Sequence, residues 1–347
     1  MEALKEITKN TMLYNQNAGY GRALLNAVHA NVPTFGNIFV VFDPDDYDEA
    51  NYQKMQELFL SDPEGRIRFY TDITLAEDAA ESNNNDVIVL DNNSSHVLTT
   101  FITNDKNRLH YISLDYLMGM RRRQGQGAKI TIAGSTATNT STIRNTGVRG
   151  SFRGIKFDSS NTSTSALWAF EEGGEFTYFD NCHFVRSAIV STATAADLLM
   201  NGDSSEFHKC TFGITSLAIT ANGDRPCVDL GREQITGKVC RDGVFEDCLF
   251  QRRSSDADNS FIYSSAATDV ERMLLINKPI FWADALSTTN MAECVSGAAT
   301  LTTGSILVID PAATQTPAAI STTTGVFVEG YTPDATGAAA GIAIQCA

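Results

Sequence analysis

Carboxylates are the most abundant chemical equipment in this chain. Glu171, Glu172, Glu175, Asp180, Asp203, Glu206, Asp229, Glu246 and Asp247 all fall close to turns between apolar stretches. Glycoside hydrolysis needs two such groups flanking the scissile bond, and their separation decides whether configuration is retained or inverted. Asp203 and Glu206 share one polar insertion and are the nearest approach to a working pair. If the chain has catalytic residues, these two are the candidates. His183 and His208 stand at different places in the repeat described below and form no column, which favours structural roles. Arg121-Arg122-Arg123 precedes Gln124-Gly125-Gln126-Gly127. That combination suits an anion or an acidic face of a neighbouring subunit, or else a solvated corner. None of the seven cysteines forms a Cys-x-x-Cys, and no His-x-x-x-His occurs, so neither a metal nor a cofactor is expected.

Something has to position these groups, and a six-residue pattern says what. Phe-x-x-Cys-x-Phe recurs at Phe179–Phe184, Phe207–Phe212 and Phe245–Phe250, with relatives at Phe152–Phe157 and Ile276–Phe281. Recurrence at intervals of tens of residues marks a repeat architecture. The first Phe and the Cys are three apart and would face opposite ways in a straight strand, whereas the Cys and second Phe share a face. A strand, a one-residue bend and a second strand bring all three inward. The bend falls on Gly154, Asn181, Lys209, Asp247 and Lys278. Gly, Asn and Asp tolerate the positive φ a sharp bend requires, and the lysines fit less well. This is the corner of a coiled β-solenoid, with Phe179, Phe207 and Phe245 stacked inside and Cys182, Cys210 and Cys248 forming a buried thiol column. Apolar strands starting at Val87, Leu109, Ile130 and Phe152 set a basic coil of about 22 residues, the length of one triangular turn. Longer later spacings are corner insertions.

Net charge is −15 and pI about 4.7, which disfavours a nucleic-acid partner. Long apolar runs are missing, so no membrane span is expected, and the N-terminus has no apolar export region. An odd cysteine count argues against a disulfide framework and suits assembly in a reducing cytoplasm.

The chain divides into four parts. Residues 1–35 form an attachment segment with Leu24, Leu25 and Val28 at helical spacing, a candidate docking stripe. Residues 36–86 make a small α/β cap, with a helix at Glu49–Leu60 behind Asp48 and another over Thr74–Ser82. A parallel β-helix follows over 87–310. The tail, 311–347, is β-rich and charge-poor. From Leu286 to Ala347 the only charges are Glu293, Asp310, Glu329 and Asp334. An open solenoid end of this kind favours self-association, most simply a homotrimer.

These coils resemble the pectate-lyase-like right-handed parallel β-helix superfamily. The helix-then-strand stretch Thr74–Ala80 and Asp86–Leu90 is similar to phage tailspike and virion β-helices. The layout also resembles phage virion structural proteins at Arg149–Phe157, Gly223–Cys227, Ala267–Arg272 and Ser321–Val326. The resemblance implies an all-β fold and a non-enzymatic structural protein of a bacteriophage virion. Its role would be capsid decoration, cement or head fibre, docked on the major capsid protein or another virion protein. The alternative is a tailspike-like spike that binds or depolymerises a host surface glycan. The sequence motifs of polygalacturonases and pectate lyases are not matched, so no enzymatic activity is expected.

Overall fold

The computed structural model describes residue 24, residues 26–31 and residues 36–345, apart from 60–66, 118–126, 135–139, 189–194, 220–225, 232–236, 255–257, 286–290, 298–299, 315–318 and 333–343. The described chain winds through three parallel sheets of eleven, eight and seven strands, termed here A, B and C. Each turn visits A, then B, then C. The repeat motif supplies the A strand, the bend and the B strand.

Parallel register stacks like on like. Tyr111, Phe152, Phe179, Phe207, Phe245 and Ile276 align along sheet A. Phe157, Phe184, Phe212, Phe250 and Phe281 align along sheet B. Phe179 and Phe207 stack at 4.4 Å, and Phe207 and Phe245 at 4.8 Å. Rings of the two columns meet edge to face, as the quadrupoles of aromatic rings prefer. Cys182, Cys210 and Cys248 are buried free thiols behind the bend, each donating to a backbone carbonyl. Burial, reinforced by the adjacent thiols, pushes Cys210 well above the ordinary thiol range.

Every expected bend residue has positive φ: Gly154 67°, Asn181 52°, Lys209 52°, Asp247 53° and Lys278 49°. The lysines adopt this conformation because the coil holds it. The N–H of each bend residue donates to a carbonyl one turn on, as Lys209 does to Glu246 and Lys278 to Ile309. One spacing is corrected. Ile130 pairs with Phe157 in sheet B, so Tyr111 to Phe152 is one long turn and not two short ones.

Before the coil, the strands Ile38–Val41 and Ile67–Tyr70 extend sheet A beyond Val87–Leu90. The helix Glu49–Phe59 follows Asp48, whose carboxylate accepts from Asn51 N at 2.9 Å. Ile73–Ala79 is capped by Asp72. Leu24 and Val28 are buried against Ile38, Val40 and Ile67. The expected docking stripe is therefore corrected at these two residues: packing them on the cap removes more apolar surface from water than leaving them exposed. Leu25 and Arg121, Arg122 and Arg123 lie outside the described residues.

Candidate functional site

Because Phe152, Phe179, Phe207, Phe245 and Ile276 point inward, the residues on either side of each point outward from sheet A. Parallel register assembles those neighbours into two lines. One runs Ser151, Tyr178, Glu206, Val244 and Leu275, and the other Arg153, Asp180, His208, Glu246 and Asn277. The result is a face bearing an aromatic ring, carboxylates and an imidazole.

Its members are held by one another. The Arg153 guanidinium lies 4.9 Å from the Tyr178 ring centre, and Tyr178 stacks on His208 at 4.9 Å. His208 Nε2 is 3.0 Å from Glu206 Oε2, and the Glu206 side chain is half exposed. Asn277 Nδ2 donates to both oxygens of Glu246, at 2.9 and 2.8 Å. Asp180 lies deeper, accepting from the Tyr116 hydroxyl and from Asn181 Nδ2. Burial and the Asp180 carboxylate push the Tyr178 hydroxyl upward from its usual range. Glu206 and Glu246 sit on adjoining strands, two residues out of line. Strand spacing and rise put their Cα atoms roughly 8 Å apart.

The candidate pair, Asp203 and Glu206, is held by different partners. Asp203 belongs to the corner between sheets C and A, where Arg241 Nη1 lies 3.3 Å away and Ser204 Oγ donates at 2.8 Å. Glu206 has already turned onto the sheet face toward His208. The two differ because the chain bends at Ser204, φ 54°. Several other carboxylates serve the scaffold. Glu171 is buried with Arg144 Nε at 2.6 Å. Glu175 pairs with Lys238 at 2.8 Å. Asp229 is buried. Glu172 is fully buried and accepts from Asn145, Gly174 N and Ser205, yet burial still raises its pKa to about 7. His183 is buried with Nε2 2.9 Å from Gly213 O, and burial lowers it to about 4.

Reading the insertions for carboxylates missed Tyr178, Arg153 and Asn277. The signal lay beside the repeat: Tyr178-Phe179-Asp180, Glu206-Phe207-His208 and Val244-Phe245-Glu246. Once the central Phe is known to be internal, its two neighbours must be external.

No protein-family model matches the chain, and no curated protein matches it. Solved structures do. A pectate lyase, Pel9A, is similar at 11% identity over 87% of this chain and 71% of that one, with a TM-score of 0.52. A pectin methylesterase in complex with a hexasaccharide matches at 14% identity over 85% and 81%, with a TM-score of 0.48. The pectin methylesterase PemA of Erwinia chrysanthemi matches at 15% over 82% and 68%, with a TM-score of 0.39. The fold shared with the pectate lyase corrects the expectation of a chain without enzymatic activity by removing its ground. Its coil is shared with a carbohydrate-active enzyme, and the unmatched lyase and hydrolase motifs do not set it apart as inert. At such identities the likeness shows the fold and leaves those substrates with those proteins. The chain folds as a right-handed parallel β-helix of the pectate-lyase-like kind.

Proposed function

We propose that this protein is a glycan-directed β-helix that binds a polysaccharide along the outer face of sheet A and hydrolyses it there. The observation that carries this reading is the row Tyr178, Glu206, His208 and Glu246. It places an aromatic ring beside two solvent-reachable carboxylates, one braced by an imidazole and one by an amide. Aromatic faces stack on the apolar side of a sugar ring. With Cα atoms roughly 8 Å apart, the two glutamates can hold their carboxylates on either side of a water, the arrangement an inverting hydrolysis uses.

In the reaction, Glu206 acts as the general acid and gives a proton to the glycosidic oxygen. The anomeric carbon–oxygen bond breaks with its electron pair going to that oxygen. Glu246, oriented by Asn277, takes a proton from a water whose oxygen attacks the opposite face of the anomeric carbon. Solvent then takes the proton from Glu246 and returns one to Glu206 through His208. The setting read from the sequence belongs to the same proposal. It is a trimeric phage spike, assembled in the host cytoplasm and attached to a capsid or other virion protein, which presents this face to a host surface glycan.

The test is incubation with a panel of bacterial surface polysaccharides, scoring new reducing ends and anomeric configuration by NMR. Cleavage with inversion is expected, with at least a hundredfold loss in Glu206→Gln and in Glu246→Gln. Cleavage unaffected by both substitutions would remove the site from consideration.

A further inference from the structure

The corner between sheets C and A carries a second column of positive-φ residues: Arg108 57°, Arg149 61°, Phe176 55°, Ser204 54°, Asp242 47° and Arg272 64°. Phe176 is out of place there. A bulky aromatic at positive φ is a backbone outlier, and this one is also 53% exposed. It therefore carries two costs, strain and lost burial. Among the described residues its ring partner is Arg149, whose guanidinium lies 5.7 Å from the ring centre. Arg108 precedes Arg149 by one turn: Arg108 N donates to Val148 O, and Arg149 N to Glu175 O. In the strands that follow, four residues after Arg149 and two after Phe176, Arg153 and Tyr178 repeat the guanidinium-on-ring arrangement.

Charge sharpens the point. In a chain of net charge −15, Arg108, Arg149 and Arg153 have no carboxylate within ion-pair distance among the described residues. The acids on this corner are already engaged, Glu175 by Lys238 and Asp203 by Arg241. Later in the same column Arg272 is paired, with Asp242 at 2.6 Å. The cationic end of the column thus stands open beside two aromatic rings, at the edge of the face that carries Glu206.

We propose that the corner made by Arg108, Arg149 and Phe176, flanked by Arg153 and Tyr178, is a subsite for an anionic saccharide unit. The rings stack on the sugar and the guanidinium groups pair with its carboxylate or sulfate. This rests on the glycan reading above and fixes the charge class of one unit of the ligand.

Binding of the full chain is measured by calorimetry with three probes: a hyaluronan oligosaccharide, the same oligosaccharide with its carboxyl groups reduced, and a sulfated dextran oligosaccharide. At least one anionic probe is expected to bind tenfold or more tightly than the reduced one, weakening with added salt. Which anionic probe binds tells carboxylate from sulfate. Phe176→Asn suits positive φ, so it should keep or raise the melting temperature while weakening that probe about tenfold. Arg149→Gln should erase the preference for charge, and Arg272→Gln should leave it. Equal affinity for charged and reduced probes, no binding of any probe, or full binding by Phe176→Asn overturns the subsite. Cleavage of a neutral glycan without charge preference would sink the subsite and leave the hydrolase standing. Anionic binding in a chain that cleaves nothing would do the reverse.

Discussion

Two corners of this coil share a backbone and differ in almost everything else. Gly154, Asn181, Lys209, Asp247 and Lys278 turn sheet A into sheet B, and Arg149, Phe176, Ser204, Asp242 and Arg272 turn sheet C into sheet A. Both columns hold positive φ. Both are tied to the next turn by N–H bonds, as from Asn181 to His208 O and from Phe176 to Asp203 O. The first corner has Ile155, Cys182, Cys210 and Cys248 immediately behind it, all buried. The second is backed by a polar interior of Asn145, Glu172, Thr177 and Ser205. A dry apolar interior admits few residue types and repeats them. A polar interior is satisfied by hydrogen bonds from many combinations and leaves no repeat.

The largest contrast between the corners is in core truncation. Phe207 leads into the first corner, fully buried between Phe179 and Phe245 and against Phe184 and Phe212. Phe207→Ala is expected to destabilise by about 3–5 kcal/mol, read from denaturant unfolding. Removing the exposed ring at the second corner should cost nothing comparable. Equal losses would mean that the two corners are packed alike.

That asymmetry explains what was legible. The triangular coil, its bend positions and both aromatic columns could be read because Phe and Cys recur at fixed spacing. The second corner escaped notice because Arg149, Phe176 and Ser204 share no chemistry. Ile130 was placed on the wrong side of the triangle because a short apolar strand carries no mark of its sheet. The Glu206–His208 contact is hidden because it depends on knowing which way Phe207 points, and the closeness of Asp203 to Glu206 in sequence hides the bend at Ser204 that gives them different partners.

Glu172, behind the second corner, should make that corner sensitive to pH. Its pKa rises from about 4.5 unfolded to about 7 folded, chiefly through burial. A folded value above the unfolded one favours folding fully below pH 4.5 and loses that contribution as pH rises through 7. The shift amounts to about 3 kcal/mol at most. Glu172→Gln should match the parent chain near pH 4 and exceed its stability near pH 8. His110 and His183, both lowered to about 4 by burial, run the other way. Their contribution is present above pH 6.5 and lost as pH falls through 4. A difference between parent and variant that does not change from pH 4 to 8 would show that Glu172 stays protonated, or stays charged, throughout.

The smallest effect tests whether the first corner's backbone is imposed on its residues. Lys209 sits at φ 52° with its N–H bonded to Glu246 O. An L-residue with a Cβ loses roughly 1–2 kcal/mol in this conformation, and glycine does not. Glycine also has more backbone freedom to lose on folding, about 0.5–1 kcal/mol. Lys209→Gly should therefore stabilise by only about 0.5–1 kcal/mol. The converse change at Gly154, φ 67°, meets a different obstacle. A Cβ there would come within 2.7 Å of the Tyr116 Cβ, so Gly154→Ala should destabilise through contact as well as conformation. Paired melting curves of the two variants check both signs. A loss of stability in Lys209→Gly would mean that the lysine side chain contributes more at this corner than its conformation costs.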